Sequence, residues 1–101
     1  MTTNKALVVN GHPVRIAEYS RKKFIELQEL ADEQDKYIAD NPGILISEIP
    51  LDLRADWLKR KADILWSTDK PYPKGFFESD DFELSKLKDS QDFFLKYTLF
   101  L

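Results

Sequence analysis

With one histidine and no cysteine in 101 residues, this chain has few side chains able to do chemistry near neutral pH. His12 would act as a general base only with an orienting partner and a substrate proton in reach. No Ser/His/Asp arrangement and no metal-ligand spacing surrounds it, and the end of a strand pair is a solvent-facing address. A structural role is therefore expected for His12. Glu78, Asp80, Asp81 and Glu83 form an acidic run. It lacks the central glycine and distal glutamate of a calcium loop. Negative charge at a helix start is favourable in its own right, by ~0.3–1 kcal/mol per residue. Three glycines leave no phosphate-cradling loop. No cofactor and no metal are expected, and an enzyme built here would work through carboxylates and lysines alone.

Two basic triplets, Arg21-Lys22-Lys23 and Lys59-Arg60-Lys61, are the candidate nucleic-acid contacts. Each falls within a predicted helix, so its members fan around the surface rather than forming one patch. Glu26, Asp56 and Asp63 lie at helical distances that allow surface ion pairs. The formal charge of -3 is also wrong for a dedicated DNA binder. Nucleic-acid binding by these six residues is thus the alternative reading, and it requires the triplets to converge in space.

The aromatic residues carry the leading reading. They make up 13% of the chain and crowd into its C-terminal half. Tyr72, Phe76 and Phe77 lie in or beside a proline-containing loop, and Tyr97 and Phe100 lie in an unusually apolar end. A domain of this size has limited room for so many rings, so some are expected at the surface, where exposed clusters mark partner sites. Tyr72, Phe76, Phe77, Tyr97 and Phe100 are the candidate partner surface. The function expected is a non-enzymatic interaction or assembly module that docks another protein or forms a homodimer.

The elements that must position these residues are legible in part. Asn10-Gly11 separates Ala6-Leu7-Val8-Val9 from His12-Pro13-Val14-Arg15-Ile16. Asn-Gly suits a type I′ turn, which needs positive φ at both central residues. Alternation puts Leu7, Val9, Val14 and Ile16 on the core face, with His12 at the turn end. Pro13 denies the second strand a partner beside it, making that strand an edge there.

Ser20 caps a predicted helix to about Ala39, with Phe24, Leu27, Leu30, Ala31 and Ile38 on its apolar stripe. Asn41-Pro42-Gly43 ends it. Ile44-Leu45-Ile46 reads either as a third short strand, added to the free side of the first, or as an apolar turn filling the core. A second helix follows Pro50, roughly Leu51 to Trp66, with Leu51, Ala55, Leu58, Ala62 and Leu65 on one stripe. Asp80 and Glu83 resemble a capping box opening a third helix through Leu84, Leu87, Phe94 and Leu95.

The fold expected is α+β: one small domain over residues 1–101, with an N-terminal β-hairpin packed on about three α-helices. No apolar run approaches the ~20 residues of a membrane span. The few apolar residues before Asn10 are too short for a signal peptide core. Together with the lack of cysteine, this makes a cytoplasmic protein the expectation.

Overall fold

The computed structural model describes residues 6–96. They form an α+β fold: β1 (Ala6–Val9), β2 (His12–Ile16), α1 (Arg21–Asp40), a 3₁₀ turn (Ile46–Glu48), α2 (Leu51–Leu65), β3 (Trp66–Ser67) and α3 (Leu84–Leu95). Asn10 and Gly11 take φ of 48° and 79°, the left-handed pair a type I′ turn demands. That turn fixes the register Val9↔His12, Val8↔Pro13, Leu7↔Val14 and Ala6↔Arg15. The expected alternation follows. Val9, Val14 and Ile16 are buried, Leu7 is half-buried, and Ala6, Val8, Pro13 and Arg15 face solvent. Each fully buried aliphatic side chain on that face contributes about 1.5–3 kcal/mol.

Of the two readings of residues 44–46, the turn holds and the strand does not, though the turn does not fill the core. Residues 44–46 do not join the sheet. Leu45 and Ile46 stand in solvent, and Ile46 opens the 3₁₀ turn. The third strand is Trp66–Ser67, paired antiparallel to β2 through Arg15↔Ser67 and Ile16↔Trp66. The order β1-β2-β3 makes β2 the central strand at Arg15 and Ile16, while beside Pro13 no third strand pairs among the described residues, as expected. The ladder stops at Arg15, before Pro13, whose carbonyl instead accepts from the Thr68 hydroxyl at 3.1 Å. Proline's missing donor therefore costs the sheet nothing.

α2 passes into β3 without a loop. Trp66 leaves the helix in extended geometry (φ -122°, ψ 150°), and the Ala17 N–H donates to Leu65 O at 2.8 Å. The Trp66 indole N–H donates to Ser90 Oγ at 2.7 Å, and that hydroxyl donates on to Lys86 O at 2.8 Å. Both side chains are buried, so this relay satisfies groups that would otherwise be stranded away from water. It pins α3 to the sheet. α2 packs against both α1 and α3.

Ser20 caps α1 as expected, its hydroxyl accepting from the Lys23 N–H at 3.1 Å. The start of α3 departs from expectation. The helix begins at Leu84 and its N-cap is Glu83, with no side-chain cap. Glu83 is occupied elsewhere. Its carboxylate accepts from the Asn10 N–H at 2.7 Å, and its own N–H donates to Asn10 Oδ1 at 2.8 Å. Asn10 Nδ2 also donates to Asp81 O at 2.7 Å. The hairpin turn is thus clamped to the entry of α3 by three hydrogen bonds, which outcompete the local capping box.

Candidate functional site

Among the described residues the aromatic side chains do not form a surface. Every aromatic ring among the described residues is buried or half-buried. Phe76 and Phe77 are 8% and 7% exposed, which corrects the expectation that they face a partner. The Phe76 N–H closes a turn on Pro73 O at 3.1 Å, with Gly75 at φ 77°, and the turn folds the proline loop back over the hairpin. Tyr72 stacks on Phe76 at 5.2 Å and meets His12 at 5.0 Å. Phe82 closes the cluster at 5.6 Å from Phe76 and 5.5 Å from Phe77. Tyr97 and Phe100 lie outside the described residues.

His12 is not solvent-facing either; it is buried beneath this cluster. Its Nε2 lies 3.1 Å from both Thr68 Oγ1 and Lys70 O. A carbonyl only accepts, so the geometry assigns the hydrogen to Nε2. His12 fastens the hairpin to the loop after β3, a structural role in a buried setting.

Tyr72 gives that packing a measurable sign. Burial, aided by the charge of Asp63, pushes its phenol up from 10.0 to about 12. A raised folded-state value means the unfolded chain loses its proton first. The stabilisation is complete below about pH 10 and is lost as pH rises through about 12. Denaturant midpoints of wild type and Tyr72→Phe should therefore diverge in slope over that interval, with the variant losing less. Parallel alkaline slopes would show that the phenol is not withdrawn from water.

The basic triplets scatter as their helical spacing requires. Arg21 and Lys22 are exposed, while Lys23 Nζ turns to Ile64 O at 3.2 Å. Lys59 is exposed. Arg60 makes a two-pronged bond to Glu33, which also accepts from the Trp57 indole N–H at 2.9 Å. The guanidinium, then the indole, hold the Glu33 carboxyl below its ordinary value. Lys61 is half-buried and lines a groove between the helices. Of the acidic run, Glu78, Asp80 and Asp81 are exposed and Glu83 is in the clamp. No group of three or more His, Cys, Asp or Glu among the described residues is placed to hold a metal ion.

What the fold does leave uncovered is aliphatic. Val8, Ile25, Ile38, Leu45, Ile46, Leu51 and Leu84 are the exposed large apolar side chains among the described residues. Ile38, Leu51 and Leu84 were expected in the core, each on the apolar stripe of its helix. Ile38 and Leu84 instead flank a single groove with Ile46. They are 52%, 59% and 76% exposed. The groove runs between α1, the 3₁₀ turn, α2 and α3 and encloses about 480 Å³. Ile49, Trp57, Leu58 and Leu87 supply its apolar lining, and Trp57 is steadied from behind by Tyr37 at 5.5 Å.

Gln34, Asp35, Arg54, Lys61, Lys88 and Gln91 complete the wall. Burial pushes the Lys61 amine below its ordinary value. The only sequence trace of this groove is a surplus of apolar stripe positions, together with the unassigned run Ile44-Leu45-Ile46. No helix among the described residues is long and apolar enough to cross a membrane. Comparison with protein-family models, with curated proteins and with solved structures gives no match.

Proposed function

We propose that this protein is a non-enzymatic interaction module of the cytoplasm that docks a partner protein in the groove between its helices. The observation that carries the reading is the convergence of Ile38, Ile46 and Leu84 on one concavity. Three apolar side chains from three separate elements stay in water there, although the chain buries or half-buries every described aromatic ring. Scattered exposed aliphatics are ordinary, but a contiguous apolar concavity with a charged rim is the form an interaction site takes. The partner surface is thereby moved from the proline loop to the helices.

A photo-crosslinking residue at Ile46, tested in cells that normally make the protein, checks this. A discrete adduct is expected from Ile46 and not from the same residue placed at Glu29, an exposed site away from the groove. Adducts of equal yield at both positions, or none at Ile46, would overturn it.

A further inference from the structure

We infer that the groove receives an acidic amphipathic α-helix from another protein. The inference rests on the docking reading above and adds the partner's secondary structure and charge.

The case for a helix is an accounting of backbone groups. Side chains of α1, α2 and α3 form most of the wall. Amides within those helices are already bonded within their own elements. In and beside the 3₁₀ turn, the Leu45, Glu48 and Ile49 amides are committed as well. The Leu45 N–H donates to Glu48 Oε1 at 2.8 Å, Glu48 N–H to Leu45 O at 2.9 Å, and Ile49 N–H to Ile46 O at 3.2 Å. An extended segment entering this groove would find few partners for its own N–H and C=O groups. A helix brings its backbone bonds with it and presents only side chains, which is how apolar grooves of this kind read their ligands.

The case for acidity is the charge on the wall. Arg54, Lys61 and Lys88 face one carboxylate, Asp35, on a chain whose net charge is -3. Arg54 is partly committed, its Nε donating to Ile49 O at 3.0 Å. Neither Lys61 nor Lys88 makes an ion pair among the described residues. Glutamates flanking an apolar stripe would meet these amines, while a basic helix would meet them in repulsion.

The test uses two fluorescein-labelled helical peptides. One has leucines along one face and glutamates beside them; the other has lysine in place of every glutamate. Anisotropy titrations should show the acidic peptide binding and its twin binding at least roughly tenfold more weakly. Ile46→Asp should abolish binding of the acidic peptide without moving the thermal midpoint. The Lys61→Glu, Lys88→Glu double variant should invert the preference. If that variant does not fold, Lys88→Glu alone, at an exposed position, should narrow the preference.

Equal binding of both peptides, lost in Ile46→Asp, would overturn the acidic assignment and leave the docking reading standing. A wild type that sediments as a dimer, dissociates on Ile46→Asp and ignores both peptides would overturn the inference in favour of a second copy. A monomer that binds neither peptide would overturn the inference, and the Ile46 crosslink then decides whether the docking reading falls with it.

Discussion

Phe76→Ala is expected to lower folding stability by about 3–5 kcal/mol, the range for truncating a buried phenylalanine. The ring is 8% exposed, and its neighbours are all large. Phe77 lies 5.0 Å away, Tyr72 5.2 Å, and His12 and Phe82 5.6 Å each. Five rings that support one another cannot easily collapse into the vacated space, so the cavity persists and the cost falls toward the high end. His12 would also lose a ring packed against it, exposing its bonds to Thr68 and Lys70. Ile46→Ala, at a side chain 76% exposed, should stay within about 0.5 kcal/mol of wild type. Urea denaturation measures both. A lower midpoint with an unchanged slope for Phe76→Ala is the expected result. If Phe76→Ala left the midpoint in place, the ring would belong to a surface after all, and the proline loop would again be the natural docking site.

That contrast shows which parts of this molecule its letters disclose. The hairpin was legible because Asn10-Gly11 admits few conformations and the flanking alternation admits one facing. α1 was legible because Ser20 bonds three residues ahead, a short-range event. β3 was not, since two residues carry no periodicity. Trp66 becomes a strand residue only because β2 and Ser90 are there to receive its backbone and its indole. The capping box at Asp80 failed for the same reason. A local motif predicted the use of Glu83, and a partner 73 residues away took it.

The candidate site followed the same rule. Prolines around Tyr72 suggested an exposed loop, yet exposure depends on what the loop folds against, and here it folds against His12. Ile38 and Leu84 read as core because helical periodicity reports an apolar face without reporting whether the chain can cover it. The groove appears only when α1, α2 and α3 are placed together and those stripes lack a partner among the described residues.

Asn10→Ala is expected to cost about 2–4 kcal/mol, unusually much for an exposed turn residue, because two losses combine there. Asn10 is the one non-glycine residue with positive φ among those described, at 48°. Alanine in that left-handed geometry costs about 1–2 kcal/mol, which asparagine partly escapes through its short polar side chain. The second loss is the clamp. Removing the side chain deletes its bonds to the Glu83 N–H and to Asp81 O, each about 0.5–1.5 kcal/mol and toward the lower end in an exposed setting.

Asn10→Gly separates the two terms, since glycine accepts the turn geometry but cannot make either bond. It should fall about 1–2 kcal/mol short of the alanine variant's loss. Both variants should accelerate hydrogen exchange at the Glu83 amide, which loses its acceptor in either case. Glu83→Ala removes only the third bond, from the Asn10 N–H, so its effect should be smaller and should not add fully to that of Asn10→Ala. Additive losses would mean that the turn and the entry to α3 are stabilised separately. Non-additive ones would mean that the hairpin turn and the last described helix fold as one unit, joined through a single asparagine.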